Sequence, residues 1–218
     1  MTPDQIEKTL TTIADGFIQP RSPIYHRPDE AGLAYEDVTF PAADGVPLEG
    51  WYIPADGSDK LVICNHPRWF NRSGLTSHLE PWKSFAGATG NDFEINFVPD
   101  YKILHDAGYH VLAYDLRNHG HSGAANGGIF TVGRYEYRDV LGSLKYVRSR
   151  PDTADMTIGL FSRCVGANST MYSASASALR TIPVPRSVAG IRMTRAPSMR
   201  MILRRSMEKL SAITATKG

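Results

Sequence analysis

The chain has 218 residues, enough for one sizeable core and too few for two domains of ordinary size. Its 42% hydrophobic and 21% charged residues are the balance of a globular fold and exclude a disordered or fibrous chain. A net charge of +2 gives the chain as a whole no pull toward a polyanion, and no run approaches the ~18 apolar residues of a membrane span.

In chain order, Ile6, Leu10, Ile13 and Phe17 recur at helical spacing over residues 4–18, and Pro20 ends the pattern. Y-E-D-V-T-F and V-P-L-E-G-W-Y-I-P flank A-A-D-G, which predicts a hairpin turning on Asp44-Gly45. K-L-V-I-C-N-H and H-V-L-A-Y-D-L read as buried strands. Between them N-F-V-P-D-Y-K-I-L-H-D-A-G reads as a helix, with Gly108 placed to end it. E-Y-R-D-V-L-G-S-L-K-Y-V-R-S-R predicts an amphipathic helix with Val140, Leu141, Leu144 and Val147 on its apolar face, stopped by Pro151. M-T-I-G-L-F is a further strand, and the small residues after it open a helix. This alternation predicts an α/β fold, a three-layer α/β/α arrangement around a mostly parallel sheet. Two long interruptions, 67–96 and 117–133, follow strand C-termini, where sites in such sheets lie.

The division expected is an N-terminal helix and linker (1–30), a core (31–178) and an atypical tail (179–218). Up to Ala178 there are 15 Lys and Arg against 21 Asp and Glu; beyond it there are nine against one. Within the tail, R-S-V-A-G-I-R-M reads as a strand and S-M-R-M-I-L-R-R-S-M-E-K-L-S-A-I as a helix. A final strand left without a neighbour makes self-association through an open sheet edge an expectation. The start of the chain lacks the basic and apolar regions of a signal peptide. Two cysteines are too few for a disulfide framework, which suits a reducing, cytoplasmic setting.

The chemistry centres on F-S-R-C-V-G-A, residues 161–167. A strand turning sharply into a helix is where the pattern G-x-S-x-G mounts a nucleophile. Here Cys164 holds the middle position and Ser162 the place of the first glycine. Beside a helix N-terminus the dipole favours an anion, and a thiol near pKa ~8.5 gains from that more than a hydroxyl. The competing reading of Cys164 is a small buried apolar residue; Cys64, inside a strand, reads as core. Together with V-I-C-N-H-P-R (62–68) and Y-D-L-R-N-H-G-H-S-G (114–123), this segment makes residues 35–175 resemble the α/β hydrolases. The resemblance is to the single-domain branch of serine-aminopeptidase-like and dienelactone-hydrolase-like enzymes, with cysteine at the nucleophile as in the latter.

That resemblance implies an acyl-transfer site with Cys164 as nucleophile. It also implies an oxyanion hole made from the backbone N–H of Val165 and, because Pro67 has none to give, that of Arg68. His66 and His119 read as braces of their loops, His105 and His110 as exposed, and Asp115 as bracing its turn with Arg117. The family pattern departs after Cys164, where there is no Asp or His and the only acid is Glu208. A C-terminally truncated or altered hydrolase lacking its last strands, with impaired turnover, is therefore expected. The substrate class is a small acyl compound (ester, thioester or amide), with no cofactor, metal, nucleic acid or membrane partner. The alternative is a catalytically inactive relative that binds a ligand or protein through the same cleft.

Overall fold

In the computed structural model, residues 2–175 are described apart from 16, 17, 19, 88, 89 and 91, and for 12–15, 85 and 86 only the backbone is. The tail strand and helix expected beyond 178 lie outside the described residues. The elements are helix α1 (Pro3–Asp15), strands β1 (Glu36–Pro41), β2 (Pro47–Ile53), β3 (Lys60–Asn65) and β4 (Gly74–Leu75), and helix α2 (Trp82–Gly87). Then come β5 (Ile95–Asn96), α3 (Val98–Asp106), β6 (His110–Tyr114), α4 (Tyr137–Ser149), β7 (Thr157–Ser162) and α5 (Val165–Ser175). None of the described helices is long and apolar enough to cross a membrane.

One five-stranded sheet runs β1-β2-β6-β3-β7, and β4 pairs with β5 apart from it. β1 and β2 form the expected hairpin, with Gly45 at φ +88 where only a residue without Cβ is unstrained. β2 meets β6 antiparallel, whereas β6, β3 and β7 run parallel. Because side chains alternate along a strand, each strand feeds two cores. Leu61 and Ile63 of β3 join Leu112 and Tyr114 of β6 and Leu48 and Tyr52 of β2 on one face, with Val147 of α4 and Val165 of α5. Val62 and Cys64 join Val111, Ala113, Trp51 and Ile53 on the other, with Tyr101 of α3. The continuous apolar runs read from the sequence are thus strands covered on both sides.

α4 closes on the hairpin at Gly142, where a Cβ would lie 2.6 Å from Ala42 Cα and from Pro41 O. α3 ends as expected, with Gly108 at φ +80. α1 forms where its periodicity predicts a helix, and Ile6 (46%) and Leu10 (56%) on its periodic face are exposed. One expectation fails. His110 is buried, not exposed: its Nδ1 meets Tyr52 Oη at 2.7 Å, and its Nε2 lies 3.2 Å from Ser58 O.

The two long interruptions are held by buried polar side chains. Asn71 donates to Ser22 O and Pro23 O and accepts from the amides of Ser73 and Gly74. Asp115 accepts from Arg72 N–H at 2.7 Å, from the Arg72 guanidinium at 2.8 Å and from His121 N–H at 2.9 Å. The partner of Asp115 is therefore Arg72, not Arg117. Arg117 is fully buried and instead binds Asp139 and Asp44.

Candidate active site

Parallel pairing sets Asn65 beside Ser162, so the loops leaving β3 and β7 emerge side by side at the same end of the sheet. Arg163 N–H still donates to Asn65 O at 3.1 Å; the chain then reverses direction and α5 begins at Val165. The reversal falls on Cys164, which adopts φ +51, a left-handed conformation that L-residues avoid at about 1–2 kcal/mol. Strain of this kind persists only where surrounding structure holds it. Here Gly166 N–H bonds Arg163 O at 2.9 Å and Asn168 N–H bonds Cys164 O at 3.1 Å. Gly166 lets α5 approach β3: a Cβ there would lie 2.4 Å from Asn65 O. Cys164 is exposed, which removes the buried-filler reading, while Cys64 is buried as expected. Burial pushes the Cys64 thiol up to about 12, leaving it inert.

Ser162, standing where the pattern has glycine, points beneath the turn. Its Oγ accepts from Asn65 Nδ2 at 2.9 Å and meets Thr170 Oγ1 at 2.8 Å, and Tyr114 donates to Asn65 Oδ1 at 2.6 Å. These bonds tie β6, β3, β7 and α5 together below the thiol. Arg163 turns away from Cys164: its guanidinium reaches Asp100 at 2.5 Å and lies over the rings of Phe97 and Phe161.

On the β3 side, Arg68 stacks over Trp69 and Phe130, each 5.0 Å from its guanidinium carbon. Burial pulls the Arg68 guanidinium below its usual value, and the nearby Cys164 sulfur opposes that pull. Trp69 is also left-handed, at φ +72. Phe70 stacks on Phe97 at 5.4 Å as part of the core, so it packs on the sheet rather than lining a pocket. A cavity of about 620 Å³ lies between Thr131, Val132 and Arg134 on one side and the Asn168–Tyr172 flank of α5 on the other.

The histidines near the turn are committed elsewhere. His66 Nε2 accepts from Leu116 N–H at 2.9 Å, so Nδ1 carries the proton and donates to Pro67 O at 2.7 Å. His119 Nδ1 donates to Arg117 O at 2.8 Å, and its ring lies 5.0 Å from that of His66. Burial drives both down to about 4, for His119 with the further push of His66. No hydrogen bond joins the Cys164 thiol to a histidine or carboxylate among the described residues.

A spectroscopic expectation follows. Imidazole 15N shifts should show His66 and His119 neutral and Nδ1-protonated until the pH falls toward 4. His26 differs: against a desolvation penalty, Glu30 and Glu94 hold its pKa above 6.5. An unfolded chain protonates near 6.5, so it binds more protons than the native state between there and 4. Each buried ring therefore subtracts stability as the pH falls through that window. Titration of either ring near 6.5 would contradict the assignment.

Sequence reasoning identified the turn and its cysteine. It missed Arg72–Asp115, the Arg117 carboxylate pairs and the Ser162–Asn65–Tyr114 bonds, which join residues far apart in the chain and leave no local signal.

No protein-family model matches the chain. No curated protein matches it. Among solved structures, it is similar to the esterase Pf2001 of Pyrococcus furiosus in its P21 crystal form, with 29% identity and a TM-score of 0.52 over 70% of this chain and 51% of that one. The P212121 form of the same esterase gives 30% identity and a TM-score of 0.50, covering 66% and 46%. The α/β hydrolase GrgF from Penicillium sp. sh18 gives 20% identity and 0.46, covering 65% and 42%. The chain spans about half the length of the esterase it matches.

Proposed function

We propose that this chain, a relative of the α/β hydrolases, is a hydrolase that attacks an ester, thioester or amide with the Cys164 thiolate. One observation carries the reading: an exposed thiol held at φ +51 where β7 turns into the N-terminus of α5. The left-handed turn lifts Sγ clear of the backbone, and the amides of the first turn of α5, which lack intrahelical acceptors, favour negative charge there. Sγ attacks the carbonyl carbon and forms a C–S bond, and the negative charge moves to the carbonyl oxygen. The N–H groups of Val165 and Arg68 hold that oxygen. Collapse expels the alcohol, which takes up the thiol's proton through solvent, and leaves a thioester on Cys164. Water then cleaves the thioester, returning the thiol and an acid.

The second step needs a general base. Among the described residues no histidine or carboxylate is hydrogen-bonded to the Cys164 thiol, and the bonds of His66 and His119 commit them to their loops. Acylation therefore outruns deacylation, and the acyl-enzyme accumulates. With a small activated aryl ester we expect a burst of about one product per chain, followed by slow turnover. Mass spectrometry should find the acyl group on Cys164, and Cys164→Ala should show no burst. Saturable binding of an acyl compound with no adduct on Cys164 would overturn this reading in favour of a binding module.

A further inference from the structure

The connection from β6 to α4 ends in a turn, residues 131–133, that is built around one carboxylate. Glu136 is fully buried and stands at the N-cap of α4, yet its side chain makes no cap bond to that helix. The carboxylate points back into the connection instead. Oε1 accepts from Thr131 N–H at 2.9 Å, and Oε2 accepts from Thr131 Oγ1 and from Gly133 N–H, each at 2.7 Å. Thr131 Oγ1 accepts in turn from Tyr135 N–H at 2.9 Å. A buried carboxylate is costly unless hydrogen bonds or a counter-charge meet it, and here three neutral donors do so.

Between the two bonded residues stands Val132, at φ +56. The left-handed region is uncommon for any residue with a Cβ and an outlier for a β-branched one. Such strain persists where surrounding bonds impose it, and it gathers at functional sites. The bonds to Glu136 flank the strained residue on both sides. The neighbours of the turn show what the strain is for. A Cβ on Gly133 would lie 3.0 Å from Asn168 C and from Ser169 N, so the turn is seated against that peptide of α5. Two bonds run from there to the thiol turn. Asn168 N–H donates to Cys164 O at 3.1 Å, and Ser169 Oγ donates to Val165 O at 2.8 Å.

We propose that Glu136 is a positioning residue for the nucleophile, an inference that rests on the acyl-transfer reading above. Its carboxylate holds Val132 left-handed, so that Gly133 bears on Asn168 and Ser169 and these fix Cys164 and Val165. Glu136 itself touches no reacting atom. In Glu136→Gln, either orientation of the amide sets its NH2 against a backbone N–H, that of Thr131 or that of Gly133. A donor then faces a donor, and Val132 relaxes out of the left-handed region. Gly133 withdraws with it, and the first turn of α5 loses its support.

The test compares the full chain with Glu136→Gln and with Glu136→Gln/Val132→Gly. Glycine takes the left-handed conformation without steric cost, so it keeps the turn in shape without the carboxylate. With p-nitrophenyl acetate, Glu136→Gln should slow the burst on the order of 100-fold, the effect of a displacement of about 1 Å, with the half-saturating ester concentration unchanged. Adding Val132→Gly should restore the rate. Lost folding alone could not be reversed by adding a glycine. Amide hydrogen exchange gives a readout independent of the ester: Asn168 and Ser169 should exchange faster in Glu136→Gln and return to the parent rate with Val132→Gly. An unchanged burst rate in Glu136→Gln, or a loss that Val132→Gly does not restore, would overturn the proposal. A parent chain without a burst would count against the acyl-transfer reading alone, and exchange at Asn168 and Ser169 would then decide whether Glu136 holds the turn. If Glu136→Gln does not fold, Thr131→Ala, which removes the hydroxyl donor, is compared with Thr131→Ala/Val132→Gly on the same readouts.

Discussion

Asp115→Ala is expected to destabilise the fold by about 3–5 kcal/mol, the usual consequence of removing one partner from a buried ion pair. Asp115 and Arg72 are both buried, 2.8 Å apart. Burial pushes the Asp115 carboxyl above its usual range, and Arg72 works against that push. The pair itself therefore adds little, but losing the carboxylate leaves a guanidinium in the interior with no counter-charge. It also strips the acceptor from the amides of Arg72 and His121, which hold two loops together. Gly120 presses against the same carboxylate, where a Cβ would lie 2.1 Å from Asp115 Oδ2, so the space is shaped around it. Urea denaturation should show a midpoint lowered in proportion, with a melting temperature lower by roughly 2–4 °C per kcal/mol. Asp115→Asn should fall between, since one oxygen still accepts while the amide NH2 faces another donor. A midpoint unchanged in the alanine variant would refute the bracing role.

Gly166→Ala should remove the acylation burst and lower stability by about 1–3 kcal/mol, the typical range for overpacking. The new Cβ would sit 2.4 Å from Asn65 O, 2.7 Å from Asn65 C and 2.8 Å from Asn65 Cβ. The first contact is backbone of a central strand and cannot swing aside, so α5 must back away from β3. Val165 N–H and Cys164 move with it, and displacements near 1 Å are enough to slow a positioned reaction about 100-fold. Gly87→Ala is the control, because among the described residues a Cβ there meets nothing within 4 Å. Burst amplitude and rate, measured beside the urea midpoint, separate displaced geometry from lost folding. A full burst in Gly166→Ala would mean that the close approach of α5 is not what holds the thiol.

Much of the fold was legible because the signals are local. The Asp44-Gly45 turn, the unbroken apolar runs of β3 and β6 and the stop at Gly108 each depend on neighbours in the chain. The elbow was legible for the same reason, since strand, turn and helix are contiguous in M-T-I-G-L-F-S-R-C-V-G-A. The burial of His110 was not legible. It follows from Tyr52 and Ser58, more than 50 residues earlier, closing over the ring. Nor was the choice of Arg72 for Asp115, because Arg117 sits two residues away in sequence and Arg72 sits 43 away. β7 pairs Asn65 with Ser162 and so brings the Arg68 loop beside the thiol, a neighbourhood set by strand order alone.

The sequence by itself determined where the strands of the main sheet, helices α3 and α4 and the turn at Cys164 fall, because propensity, alternation and turn chemistry act within a few residues. Only the tertiary structure decided that Cys164 is exposed, that Arg163 turns to Asp100, and that His110 is buried. Burial and pairing of charges are properties of what surrounds a residue in space. Those surroundings come from strands and loops that the chain holds far apart until the sheet forms.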